Sequence, residues 1–133
     1  MRSVLGRWQL NGRAFLNDPD VFILRDSKNQ LNPCQQNSIL TINSLLGSLL
    51  FTSDNVGDYQ NEQLSEFQDI SNLLHYNIDN VTVIKPDVYK IQFTKKGNKH
   101  IALCNLTSKS IILPLEKSNI DLEAYETILL HSP

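Results

Sequence analysis

"NGRAFLNDPDVFILRD", residues 11–26, decides how the first half of the chain is read. Asn11-Gly12 is a stop signal, with a glycine suited to the left-handed residue past a helix end. A nearly continuous apolar run follows, rich in residues that favour strands, with Asp18 and Asp20 flanking Pro19 inside it. Such a run, without polar alternation, predicts a strand over 14–24 that is buried on both faces, as in a parallel sheet. Upstream, Val4, Leu5 and Trp8 share one face at helical spacing, which predicts a helix over 2–11 with Trp8 packed in a core.

Downstream, "LNPCQQNSIL" holds the clearest helix start. Asn32 suits an N-cap, Pro33 the first helical position, and Gln35 the partner in a capping box. Ile39, Ile42, Leu45, Leu46 and Leu49 form an apolar stripe, and Gly47 marks the end. A short buried strand, "SLLFTS" (residues 48–53), leads into the loop "DNVGDYQN". In "EQLSEFQDISNLLH", Leu64, Phe67, Ile70 and Leu74 fall on one face of another amphipathic helix. Residues 1–75 therefore alternate helix, strand, helix, strand, helix, the pattern of parallel strands joined by helical crossovers. Two parallel strands leave open edges and an uncovered apolar face, so the pattern looks cut from a larger α/β architecture.

Residues 76–133 change character. "NVTVIKP", "DVYKIQFT", "KHIALCNL", "SIILPL" and "AYETILL" read as strands, and "KKGN" (residues 95–98) as a tight turn between the second and third. Partial alternation in the second strand predicts an antiparallel sheet with one wet face. The expected fold is thus α/β plus all-β, with domains at 1–75 and 76–133.

Composition narrows the function classes. The 133 residues are 41% apolar and 20% charged, which reads as globular and soluble. A net charge of −2 supplies no basic field to recruit nucleic acid or an anionic membrane. No run approaches the ~18 apolar residues of a membrane span. Trp8 and Gln9 interrupt the place where an export signal would need its apolar core, so a cytoplasmic location is expected. Cys34 and Cys104 lack CxxC spacing and read as reduced, buried thiols. Two glycosylation-type triplets, at Asn80 and Asn105, read as chance matches without an export signal. His75, His100 and His131 are scattered, so neither a metal nor an organic cofactor is implied.

The chemical candidates are carboxylates. On an extended strand, Asp18 and Asp20 would lie on one side, roughly 6.8 Å apart along the chain, near the ~5–5.5 Å carboxyl separation of retaining glycosidases. A glycosidase, however, needs its two carboxylates on opposite sides of the scissile bond. The pair therefore either lines a site without being both acid and nucleophile, or caps a turn through backbone N–H groups. Ser53 and Asp54 close the second strand; in a parallel barrel they would share the C-terminal rim with Asp18 and Asp20, or they simply end a strand. No phosphate loop or nucleophile elbow is present.

"NGRAFLNDPDVFILRD", then an amphipathic helix, then "GSLLFTSDN" together resemble the end of the catalytic barrel of clan D α-galactosidases, bacterial members of glycoside hydrolase family thirty-six above all. The resemblance runs in order through residues 2–75. It assigns 2–11 to the sixth barrel helix, 14–24 to the seventh strand, 33–46 to the seventh helix, 48–53 to the eighth strand and 60–74 to the eighth helix. Residues 76–133 match only as a type, a small C-terminal antiparallel β-sandwich. The implied fold is the last two units of a (β/α)8 barrel plus that β domain. The implied parent reaction is retaining hydrolysis of terminal α-galactosides. The family position that touches the sugar in this segment matches Asp20, with Val21 beside it, and Asp18 matches a supporting position. The nucleophile and the acid/base of the family belong to earlier strands, so no catalytic residue is expected in this chain and the fragment is expected to be inactive alone. The resemblance implies α-galactoside as the ligand of the complete enzyme and association with the missing barrel portion. A carbohydrate-binding or interaction module and a subunit of a split glycosidase are the alternatives.

Overall fold

The structure, a computed structural model, describes residues 1–114 and 119–131, without the side chains of His75 and His131. It divides into two compact units, Met1–Tyr76 and Asn77–Pro133.

The first unit holds α1 (Arg2–Gly6), a 3-10 turn at Trp8–Leu10, β1 (Val21–Phe22), α2 (Pro33–Leu46), β2 (Phe51–Thr52), a 3-10 turn at Val56–Asp58, α3 (Asn61–Ser71) and a 3-10 turn at Asn72–His75. The helix expected over 2–11 breaks after one turn. No side chain caps it, and Gly6 is its last residue, the type least suited to a helix interior apart from proline. Val4 and Leu5 are buried, whereas Trp8 is only half-buried, which corrects its expected place in the core. Gly12 takes a left-handed conformation (φ 73°), but in the turn beyond the 3-10 segment.

α2 forms over the predicted span because its signals are local. Asn32 Oδ1 accepts from the Gln35 amide at 2.9 Å, and Gln35 Oε1 accepts from the Asn32 amide at 2.9 Å. Pro33 occupies the first turn, where its missing donor costs nothing. Removing that cap, Asn32→Ala, should lower stability by about 1 kcal/mol, read as a small shift of the urea midpoint. Gly47 ends the helix in an extended conformation (φ −85°), so positive φ is not its reason for being glycine. A Cβ there would meet Asn43 O at 2.5 Å and Pro19 Cγ at 2.7 Å. Ile42, Leu45 and Leu46 of the expected stripe are buried; Leu49 lies beyond the helix and is exposed.

β1 and β2 are parallel, with Val21 opposite Phe51 and Phe22 opposite Thr52. Both are far shorter than the strands expected over 14–24 and 48–53. Pro19 offers no N–H, and Asp20 turns the chain with φ 74°, so a ladder can begin only at Val21. It ends at Phe22 because the Leu24 amide is taken by the Asp54 carboxylate at 2.6 Å. The pair is also not buried on both faces. Phe22 is buried and stacks on Phe67 of α3, ring centroids 5.6 Å apart, while Val21 and Phe51 are exposed at 41% and 48%. The described residues therefore contain one parallel pair with helices packed on one face. One parallel pair does not by itself show a barrel.

The second unit is antiparallel. β3 (Asn77–Lys85), β4 (Val88–Lys95), β5 (Asn98–Asn105) and β8 (Thr127–His131) form one sheet in the order β3-β4-β5-β8, and β6 (Ile111–Pro114) pairs with β7 (Asn119–Leu122). Lys96 and Gly97 both take positive φ (48° and 83°) between paired Lys95 and Asn98, the two-residue hairpin that "KKGN" predicts. The β6–β7 hairpin covers one face of the sheet through a core of Val88, Leu103, Leu113 and Leu122. Ile91, Phe93, Ala102 and Cys104 are buried on the opposite face. The expected single wet face is thus replaced by a sheet buried over part of each face. β7, a four-residue strand, was not foreseen. The predicted strand "SIILPL" ends at Leu115, which lies outside the described residues.

No helix among the described residues is long and apolar enough to cross a membrane. The described residues contain no group of three or more potential metal ligands. Neither Cys34 nor Cys104 is joined in a disulfide among the described residues. Cys104 is fully buried, and burial pushes its thiol up to about 12; Cys34 is half-buried, short of the burial expected for it.

Candidate functional site

The segment around "NDPD" is held by asparagine side chains that the apolar pattern hides. Asn11 Nδ2 and Asn17 Nδ2 both donate to the Leu46 carbonyl at the end of α2, at 3.1 and 3.2 Å. Asn11 Oδ1 accepts from the Asn17 amide at 2.8 Å and from Ser48 Oγ at 2.6 Å. Asn43 Nδ2, from the buried interior of α2, donates to the Asp20 carbonyl at 3.1 Å. Asp20 then caps itself: its Oδ1 accepts from the Val21 amide at 2.8 Å. These contacts hold a non-glycine residue at positive φ, a conformation costing on the order of 1 kcal/mol that aspartate adopts more readily than most residues.

The loop brings Asp18, Asp20 and Val21 together with Phe51 around one open hollow of about 440 Å³. Asp18 and Asp20 are exposed while Pro19 between them is buried. Two carboxylates beside an exposed ring and an exposed valine form a surface that can accept hydrogen bonds from hydroxyls while an apolar patch packs against a carbon skeleton. Among the described residues, no basic side chain lines the hollow.

Ser53 and Asp54 are elsewhere. They follow β2, whereas Asp18 and Asp20 precede β1, so the two pairs flank opposite ends of the parallel pair rather than sharing one rim. Asp54 is occupied structurally. Its Oδ2 accepts from the amides of Leu24 and Arg25 at 2.6 and 3.1 Å and from Tyr59 Oη at 2.7 Å. Its Oδ1 pairs with Arg25 Nη1, which also donates to Ser53 Oγ at 3.1 Å. Burial alone would raise the Asp54 carboxyl; the bonds from Tyr59, Leu24 and Arg25 outweigh it and hold the pKa below the ordinary carboxylate value. Burial and the bond to Asp54 push Tyr59 up to about 12. Gln63, in the first turn of α3, completes the frame by donating to the Leu24 carbonyl at 2.7 Å. Asn11, Asn17, Asn43, Arg25 and Tyr59 were not singled out from sequence. The one available signal was "TINS", residues 41–44, polar side chains embedded in an apolar helix; all four are buried.

The structure is similar to the crystal structure of alpha-galactosidase I from Mortierella vinacea, with a TM-score of 0.72 and 12% sequence identity over 95% of this chain. The chain spans 41% of that enzyme's chain. At this identity the likeness is one of fold, and it does not single out a family. No family model matches the sequence, and no curated protein matches it.

Proposed function

We propose that these 133 residues form the C-terminal part of an α-galactosidase-like glycoside hydrolase, of the family-thirty-six type, with Asp20 and Val21 facing the sugar and Asp18 supporting them. The observation that carries this reading is the fold likeness to an α-galactosidase across both units, which covers 95% of the chain. The hollow at Asp18, Asp20 and Val21 supports it further, because galactosides present hydroxyls that ionised carboxylates accept well, at roughly 1.5–3 kcal/mol for each such bond. In this reading the parent reaction is retaining hydrolysis through an oxocarbenium-like transition state, and its two catalytic carboxylates come from elsewhere in the enzyme. Asp18 and Asp20 do not take those roles: they approach the hollow from a single loop, whereas nucleophile and acid must flank the bond.

The purified chain should release no chromophore from a chromogenic α-galactoside. Clear turnover, abolished by Asp20→Asn, would overturn the assignment of a binding role. Titrating methyl α-galactoside into isotope-labelled chain should shift amide signals across Asp18–Phe22 and Phe51, and Asp20→Ala should remove those shifts.

The second reading, a carbohydrate-binding module, has one observation of its own. A hollow of about 320 Å³ lies on the β unit, lined by Asp79, Gln92, Thr94, Lys99, His100 and Ile101. Shifts confined to those residues would favour that module over the α-galactosidase reading.

A further inference from the structure

We infer that Asn11-Gly12 is a latent deamidation site, locked by the fold, and that its conversion unlatches the loop carrying Asp18 and Asp20. It is the chain's single Asn-Gly pair. Asparagine is thermolabile, and a glycine after it leaves the next amide nitrogen unshielded, since no Cβ stands beside it. Once solvent base removes the Gly12 amide proton, that nitrogen attacks Asn11 Cγ. The bond from Cγ to Nδ2 breaks, ammonia leaves, and a five-membered imide forms. Water opens the imide at either carbonyl, giving aspartate or, with the main chain rerouted through the side-chain carbons, isoaspartate. Water is the only co-reactant, and nothing is oxidised or reduced.

The fold keeps the two reacting groups apart. Ring closure needs the Gly12 nitrogen to eclipse Asn11 Cβ about the Cα–C bond, and a ψ of 125° at Asn11 holds it well away. The Gly12 amide donates to the Phe15 carbonyl at 2.8 Å, which retains its proton. The Asn11 side chain is clamped by the Leu46 carbonyl, the Asn17 amide and Ser48 Oγ. Gly12 itself is exposed, so base and water reach it as soon as the turn opens. The reaction therefore runs through local opening, at a rate set by the stability of these bonds.

Conversion matters because the same side chain is the hub of the loop. An ionised aspartate only accepts, so a carboxylate oxygen would replace Nδ2 opposite the Leu46 carbonyl, now 3.1 Å away. The neighbouring group offers no reserve, because Asn17 Oδ1 is already buried without a partner. Isoaspartate also lengthens the main chain between Asn11 and Gly12. Asn17 directly precedes Asp18, so release of its amide frees the segment that sets Asp20 at the hollow. The change is irreversible, and it makes the loop's integrity a record of the chain's age.

Peptide mass spectrometry of the full chain, aged at mildly alkaline pH with and without denaturing guanidinium, should show Asn11 converting about tenfold or more faster in denaturant, with the other asparagines as internal references. Ser48→Ala removes one clamp and should speed conversion several-fold in the folded chain. Chain aged until Asn11 has converted should lose hydrogen-exchange protection at the Asn17 amide by about tenfold or more, while the amides of Ala102–Leu106 in the β unit keep theirs. Asn11→Asp should reproduce that loss without ageing; if it does not fold, the aged chain and the Ser48→Ala rate still decide. Conversion equally fast with and without denaturant, a rate indifferent to Ser48→Ala, or an aged chain with Asn17 still protected would overturn the inference.

Discussion

Replacing Asn105 by alanine should destabilise the β unit by about 2–4 kcal/mol. Asn105 is fully buried at the end of β5. Its Nδ2 donates to the carbonyls of Lys109 and Glu123 at 2.8 and 2.7 Å. Its Oδ1 accepts from the Thr107 amide and hydroxyl at 3.0 and 2.7 Å. One side chain thus ties the loop after β5 to the segment after β7. Alanine would leave the Thr107 amide without its acceptor and leave a small void, while the Lys109 and Glu123 carbonyls would each lose one of two donors, keeping those from Thr107 Oγ1 and the Glu126 amide, at roughly 1–3 kcal/mol for a buried polar group left unpaired. Asn105→Asp keeps the shape but turns a donor into an acceptor facing two carbonyl oxygens, so it should be nearly as damaging at neutral pH. Amide exchange across Ala102–Leu106 measures the change in this unit separately, as a two-unit chain need not unfold in one step. A loss below about 1 kcal/mol for Asn105→Ala would show that the loop is held by something else.

Asp54→Ala should cost the first unit a similar amount, about 3–4 kcal/mol. The Asp54 side chain is 1% exposed, and it accepts from two amides, a tyrosine hydroxyl and a guanidinium. The guanidinium of Arg25 is about a third exposed and remains hydrated when the carboxylate is lost, so the ion pair itself adds little. The cost comes from the Leu24 and Arg25 amides and Tyr59 Oη, which lose their acceptor. The same site sets a pH dependence. Because the folded Asp54 pKa lies below the ordinary value of 3.8, its stabilisation is fully present above 3.8 and is lost as pH falls through the lower folded value. Tyr59 acts at the other end: its folded pKa is raised from 10.0 to about 12, so its contribution is present below pH 10 and lost as pH rises toward 12. Urea unfolding followed by the fluorescence of Trp8, the chain's single tryptophan, should show both limbs. Asp54→Asn should flatten the acid limb. An acid limb unchanged in that variant would sink this account.

Local signals made some elements legible before any coordinates. The boundaries of α2 follow from Asn32, Pro33, Gln35 and Gly47, each acting within a turn of its own position. The β4–β5 hairpin follows from Lys96 and Gly97, since a two-residue turn needs positive φ at both. The parallel relation of residues 14–24 and 48–53 was legible as a class, from helix and strand alternation, but their lengths were not. β7 carries little strand signal, because "NIDL" offers only two apolar positions. The site was legible only as a composition. Asp18, Asp20 and Val21 stood out as residues, but the loop conformation that gathers them depends on Asn43 and Leu46, more than twenty positions away.

The amino-acid sequence by itself determined where helices start, where turns fall and which half of the chain alternates, because capping, turn geometry and periodicity act over a few residues. Only the tertiary structure decided which carboxylate does what. Asp54 and Asp20 look alike in the chain, each an acid beside a strand. Burial and four donors converging from Leu24, Arg25 and Tyr59 make Asp54 a brace. A left-handed turn held from α2 leaves Asp20 exposed at the hollow. Those differences arise from long-range hydrogen bonds and from exclusion of water, which no local pattern encodes.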